Sequence, residues 1–290
     1  MSALDQIRNS KALRWPLLAA TRLLLRPLKT GPALLRRAAY DAMPIPYLVT
    51  GRSEQFVVST ADKVIGRELF LHSEFDFDKL QTAIEILILQ GQSPPSHLID
   101  VGANIGTITI PALKRGLMQT ATAIEPHPGN LRLLRANLAL NGIEDCVTVR
   151  AQAVGDRTDT NLFLHESTIN SGNHAIGSDG ILVHSSRLDD LPLPPTPALL
   201  WMDIEGYEGH ALTGASGLLS TGMPVVCEFN TTYLKQAGGM TLFQKALQGR
   251  LIFDLKDKRK AATSLEELTL KYPGGDYFTD IIAIAQNANI

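Results

Sequence analysis

The sequence predicts a doubly wound α/β fold, and three observations carry that reading. Short apolar runs alternate with amphipathic stretches, the pattern of strands covered on both faces and joined by crossover helices. A glycine-containing turn, Asp100-Val101-Gly102-Ala103-Asn104-Ile105-Gly106, follows the first of these runs and opens a helix. The chain has 290 residues, 44% hydrophobic and 19% charged, which suits one large α/β domain with an extension and is too apolar for general disorder.

The first 40 residues stand apart. Arg8, Lys11, Arg14, Arg22, Arg26, Lys29, Arg36 and Arg37 face a single acid there, Asp5. The apolar runs Trp15 to Ala20 and Leu23 to Leu25 are too short and too interrupted to span a bilayer, and no small-residue cleavage site follows them. Two readings stand for residues 1–37: an amphipathic helix lying on anionic lipid or on a partner, and a helical cap whose basic face is simply solvated. The expected division is an N-terminal basic helical extension with linker and hairpin over 1–74, then the α/β domain over 75–290. The expected location is cytoplasmic, with the membrane surface as the alternative. A net charge of −2 gives no field directed at nucleic acid. Cys146 and Cys227 are far apart and form no CxxC or Cys/His spacing, so a structural zinc site is not expected.

Pro44, Pro46, Gly51 and Arg52 to Gln55 read as a linker, with Phe56-Val57-Val58 and Val64-Ile65 as a short hairpin. A helix is expected over 77–90, stopped by Gly91 and Pro94-Pro95. Seven strands follow, at 97–101, 121–125, 147–154, 198–203, 224–229, 251–255 and 278–284, with an additional one at 161–164. Helices are expected at 104–114, kinked at Pro111, and at 130–140, 207–219 and 242–248. Leu191 to Pro197 reads as an extended connector.

The turn from Asp100 to Gly106 should lie at the carboxyl edge of the sheet, where open α/β folds bind ligands. The next strand ends in Glu125, whose carboxylate can accept hydrogen bonds from both ribose hydroxyls of a nucleoside. The spacing is D-x-G-x-x-x-G rather than the G-x-G-x-x-G of dinucleotide sites, and no phosphate loop occurs. This form resembles motif I of class I S-adenosylmethionine (SAM) methyltransferases, and Glu125-Pro126 resembles their motif II.

Further along, Leu188-Asp189-Asp190, then Trp201-Met202-Asp203-Ile204-Glu205-Gly206-Tyr207-Glu208, resembles the signature of the FkbM-type methyltransferases. Val226-Cys227-Glu228 and Ala153-Val154-Gly155-Asp156 resemble other segments of that family, over roughly residues 74–285. One departure is Trp201-Met202, where the family commonly has a lysine, which leaves the acceptor subgroup open. The resemblance implies a Rossmann-like, mostly parallel seven-stranded sheet and an O-methyltransferase using SAM on a hydroxyl of a sugar, glycan or secondary metabolite.

It also implies roles. Asp100 and Gly102 should lie by the amino-acid part of SAM, Asn104 and Gly106 should shape the turn, and Glu125 should hold the ribose. Gln152, Ala153 and Asp156 should frame the adenine, although Asp156 reads equally well as a turn acid. Asp203, Glu205 and Glu228 fall at or just after strand ends. They can position the acceptor, activate its hydroxyl, or bind a divalent metal with Asn230; the expectation is no metal. Glu205 reads equally as a helix cap. In the polar loop 165–174, His174 is the candidate general base ahead of His165. Asp203, Glu228 and His174 are thus the expected catalytic set. Two other functions remain in view: a nicotinamide-dependent dehydrogenase, and a non-catalytic SAM-fold binding or assembly protein.

Overall fold

The computed structural model describes residues 33–167, 169–194 and 197–286, together with 15, 16, 19 and 23. The chain divides into two compact units, Met1–Pro46 and Tyr47–Ile290. Helix α1 (Ala33–Asp41) belongs to the first. Most of the basic segment, and with it both readings of residues 1–37, lies outside the described residues. Among the described residues, no helix is long and apolar enough to cross a membrane.

The second unit opens on an antiparallel hairpin of β1 (Tyr47–Gly51) and β2 (Gln55–Ser59). The expected partner for Phe56 to Val58 was Val64-Ile65; instead the segment read as a linker supplies it, and Ile65 begins helix α2 (Ile65–His72). The outer edge of β2 is fastened to a helix. Val57 N–H donates to Asn137 Oδ1 at 2.7 Å, and Asn137 Nδ2 donates to Ile105 O at 2.9 Å. The same Nδ2 donates to Val57 O at 3.3 Å, so a buried amide side chain satisfies both backbone groups of Val57, which a third strand would otherwise hold.

Helix α3 (Phe77–Leu89) follows, and then the alternation begins: β3 (His97–Val101), α4 (Thr109–Lys114), β4 (Thr120–Ile124), α5 (Pro128–Asn141) and β5 (Val147–Arg150). The helix expected from Asn104 starts only at Thr109, because Asn104 and Gly106 both take positive φ in the preceding turn. Pro111 falls in the first turn of α4, between Ile110, whose N–H donates to Gly106 O, and Ala112, whose N–H donates to Ile108 O, each at 3.0 Å.

The strand expected over 147–154 is split. Its second part, β6 (Ala153–Val154), joins β7 (Thr160–His165), β8 (Ala175–Gly177) and β9 (Ile181–Ser186) in a separate four-stranded sheet of order β6-β9-β7-β8. The chain then returns to the main sheet through β10 (Ala198–Met202), α6 (Glu208–Thr213), α7 (Ser216–Ser220), β11 (Val225–Phe229), α8 (Thr231–Gln236), α9 (Met240–Ala246), β12 (Arg250–Asp254), β13 (Ala262–Thr263), α10 (Leu265–Lys271) and β14 (Thr279–Ala285). The single helix expected over 207–219 is broken at Gly214. An added Cβ there would lie 2.0 Å from the Gly155 carbonyl oxygen, so this turn packs directly on the backbone after β6.

The main sheet has the order β13-β12-β14-β11-β10-β3-β4-β5. β5, β4, β3, β10 and β11 run parallel, and β14 is inserted antiparallel between β11 and β12. The expected seven strands are all present, and short β13 adds an eighth at the edge. β3, β10 and β11 are buried along their whole length. Ile99, Leu200, Val225 and Ile281 lie in one core cluster. Each such side chain contributes about 1.5–3 kcal/mol relative to exposure. From β3 the chain moves outward through β4 and β5 and then returns to the other side of β3 as β10. The strand order reverses between β3 and β10, and the crevice beyond their carboxyl ends is where this architecture binds ligands.

Candidate functional site

Two tight turns meet at that crevice. After β3, Gly102 has φ +83°, and a Cβ on it would lie 2.0 Å from the carbonyl oxygen of Asp203, the residue after β10. The turns thus touch through backbone alone. Gly106, at φ +94°, is constrained differently: a Cβ there would meet Ile110 and Leu134 side chains, so it serves the packing of α4 and α5 on the turn. Asp100 is buried within β3 and accepts a 2.5 Å hydrogen bond from Thr109 Oγ1 at the start of α4. Loss of water pushes its carboxyl up to about 6.

A cavity opens beside these turns, lined by Gly102, Asn104, Glu125, Gln152, Ala153 and His174 among others. Glu125, 4% exposed, accepts from Asn104 N through Oε2 and from His127 N through Oε1, each at 2.8 Å. Burial pushes this carboxyl up to about 7 despite those donors. The Asn130 side chain also hydrogen-bonds this carboxylate, which still keeps acceptor capacity out of its roughly four sites. Gln152 Nε2 is buried without a hydrogen-bond partner among the described residues. Ile124, Val154, Leu164, Ile176 and Tyr207 form the apolar walls, three of them supplied by the second sheet. Asp156 is not among the lining residues; its Oδ2 lies 4.0 Å from His210 Nδ1, whose ring stacks on Tyr207.

Loop 165–174 covers the Asn104 side of the cavity and is pinned at Ser171. Asn104 Nδ2 and Asn130 Nδ2 both donate to the Ser171 carbonyl, at 2.8 and 2.9 Å, and Ser171 Oγ donates to Asp62 at 2.6 Å. His174 lines the cavity, but its Nδ1 accepts from Ser167 N at 3.0 Å. That bond fixes the tautomer with the proton on Nε2, leaving no free lone pair for a general base. Burial, then neighbouring His127, push this imidazole down to about 4. His165 is exposed and faces Asp179.

On the other side of the β3–β10 reversal lie the acids. Carboxylate oxygens of Asp203, Glu205 and Glu228 all fall within 4.8 Å of one another. Desolvation pushes all three upward; repulsion from Asp280 adds to it at Asp203, and repulsion from Asp203 adds to it at Glu205 and Glu228. Glu208, in the first turn of α6, accepts from Ile204 N and Gly206 N through Oε1, at 3.0 and 3.3 Å. Glu208 rather than Glu205 therefore satisfies the backbone here, and the cap reading of Glu205 does not hold. Asn230 is also diverted: its Oδ1 caps α8, accepting from Thr232 N and Tyr233 N, and its Nδ2 donates to Gly275 O. Next to the acids is a cleft lined by Glu205, Tyr233, Gln236, Asn173 and Ile176.

Sequence reasoning missed Asn130, Ser171 and Glu208. Glu208 had a visible signal, an acid three residues after Glu205 across a glycine. Asn130 and Ser171 had none, because their partners are 41 residues apart.

A mixed, mainly parallel α/β sheet with a cavity at its strand-order reversal, held by a glycine turn and a carboxylate just after the next strand, defines the class I methyltransferase fold. Residues 100–281 match the Methyltransferase FkbM domain, and the chain belongs to that family. Among solved structures it is similar to methyltransferase FkbM from Methylobacillus flagellatus KT, with 16% identity and a TM-score of 0.44, over 75% of this chain and 52% of that one. This chain thus spans about half the length of that protein. It is also similar to M. jannaschii TYW2 in complex with AdoMet, with 11% identity and a TM-score of 0.44, over 83% and 87% of the two chains. No protein of curated function matches the chain.

Proposed function

We propose that the chain is a SAM-dependent O-methyltransferase acting on a hydroxyl of a sugar, glycan or secondary metabolite. The observation that carries the proposal is Glu125, a buried carboxylate fixed by two backbone N–H groups, with acceptor capacity left on the cavity it lines. The cavity also fits an adenosyl group in its apolar walls and in the unpartnered Gln152 Nε2, a donor for a ring nitrogen. SAM, when bound, supplies an electrophilic methyl group. Glu125 would hold the ribose, Gln152 and Ala153 the adenine, and the Gly102 turn the amino-acid part. Asp203 and Glu228 would hold and orient the acceptor hydroxyl, while loop 165–174 keeps water from the cavity.

Calorimetric titration of wild type and Glu125→Ala with SAM and with NAD tests this. Loss of hydrogen bonds to a charged acceptor costs about 1.5–3 kcal/mol, hence a roughly 10–150-fold weaker SAM affinity. Equal SAM affinity in a folded variant refutes the assignment. Binding of NAD alone points to a dehydrogenase, and binding of neither to an assembly protein. A labelled-SAM screen over sugars and phenols identifies the acceptor.

We further propose a cytoplasmic location, with residues 1–37 as a helical cap whose basic face is solvated, or alternatively in contact with anionic lipid. On the alternative, the full chain should co-sediment with anionic vesicles at low salt and be released at high salt. Failure to co-sediment removes the membrane contact.

A further inference from the structure

We propose that Asp203, Glu205 and Glu228 form a binding site for one divalent, oxygen-seeking cation of the Mg²⁺, Mn²⁺ and Ca²⁺ class. The inference deepens the reading of this edge as the place that orients the acceptor, by naming what the carboxylates hold.

The first observation is convergence. The three carboxylates come from the end of β10, the turn after it, and β11, yet their oxygens lie within 4.8 Å of one another. Oxygens sharing one ion at 2.3–2.6 Å lie at most about 5 Å apart, so the spacing is that of a common ligand. The donors are all carboxylate, which suits hard cations rather than zinc or copper.

The second observation concerns Glu228. It is only 7% exposed, it stands in the middle of the sheet with Cys227 and Phe229 buried on either side, and its carboxylate has no hydrogen bond or ion pair among the described residues. An ionised carboxylate removed from water is costly unless it is paired or bound to metal. The described residues supply no partner. Lys79, the nearby cation, is engaged by Asp76 at 3.0 Å and by Asp280 at 2.7 Å. Asn230 is used as a helix cap, so the ligand set is the three acids and not the one that includes this amide.

The third observation is access. Glu205 also lines the cleft bounded by Tyr233, Gln236 and Asn173, so an ion held by the three acids keeps an open side facing that cleft. A cation there would be reached by a hydroxylated acceptor, and two neighbouring hydroxyls would be favoured over one.

The test titrates the full chain with MnCl₂, without SAM or acceptor, and counts bound Mn²⁺ by electron paramagnetic resonance. Its failure therefore leaves the methyl-transfer reading standing. One Mn²⁺ per chain is expected, displaced by MgCl₂ or CaCl₂. Binding should weaken at least tenfold in Glu228→Gln and in Glu205→Gln, and persist in Glu266→Gln, an exposed acid elsewhere. Glu205 is half-exposed, so its variant serves if Glu228→Gln does not fold. In thermal melts, MnCl₂ should raise the wild-type Tm and leave Glu228→Gln unmoved. Absence of bound Mn²⁺ in the wild type at millimolar concentration, or unchanged binding in both glutamine variants, overturns the proposal. In either case the acids are neutralised by protons instead.

Discussion

Replacing Gly102 by alanine adds a carbon that would lie 2.0 Å from the Asp203 carbonyl oxygen and 3.0 Å from the Ile204 side chain. The first contact is with backbone, which cannot swing aside as the end of a flexible chain can. Two costs therefore add. Holding a non-glycine residue at φ +83° costs about 1–2 kcal/mol. Forcing apart two packed turns costs a further 1–3 kcal/mol. The sum is about 2–5 kcal/mol. Gly142→Ala is the internal control: Gly142 has φ +64° at the end of α5, and nothing lies within 4 Å of its added Cβ. Only the conformational cost, about 1–2 kcal/mol, applies there. Urea denaturation monitored by circular dichroism gives both values. Gly102→Ala should lose at least 1 kcal/mol more than Gly142→Ala, with SAM affinity falling as well. Equal losses would mean that the β3 and β10 turns do not touch as described.

Other outcomes follow from the charges. Hydrogen bonds from Arg115, at 2.8 and 3.1 Å, hold the Glu54 carboxyl below its ordinary range although it is 2% exposed. A depressed acid stabilises the fold above its unfolded value near 4.3 and loses that contribution as pH falls through the lower, folded value. Glu54→Gln should cost about 3 kcal/mol at pH 7, the low end for a buried pair because Arg115 is partly exposed, and the cost should shrink in acid. A pH-independent cost in denaturation curves would contradict this. Asp203→Asn should lower turnover by about 100-fold or more while SAM affinity changes little, read from initial rates and calorimetry on the identified acceptor. Wild-type turnover would remove Asp203 from the mechanism.

The main sheet was legible because its strands are buried on both faces and read as apolar runs, and because the glycine turn and Glu125 sit at the ends of two of them. The acids at Asp203 and Glu228 could be placed for the same reason. What was not legible depends on partners distant in sequence. β8 reads Ala-Ile-Gly and β9 reads Ile-Leu-Val-His-Ser-Ser, apolar residues followed by polar ones with no alternation, so neither gives a periodic signal. The strand 147–154 looked continuous because no residue in it marks the step from one sheet to the other. Asn230 looked available until the segment around Gly275 folded back beside it. Helix α10 carried a readable capping box, Ser264 with Glu267, that the sequence reading did not use. His174 has a chemically suitable ring, but its tautomer is set by Ser167, a contact across a loop.

The position of β14 bears on how the protein comes into being. Its residues, 279–285, are synthesised after every other strand of the sheet, yet they lie in its interior, hydrogen-bonded to β11 on one side and β12 on the other. A chain still on the ribosome before residue 285 has emerged leaves two open sheet edges, and β12 with β13 has no strand to join it to the rest of the sheet. Such edges are where nascent chains associate wrongly. Glu228 pairs in register with Asp280, so the acidic edge is also incomplete until that moment. Assembly of this unit is therefore completed only after translation has passed its last strand, and a product truncated short of β14 should be cleared as misfolded rather than persist as a weak enzyme.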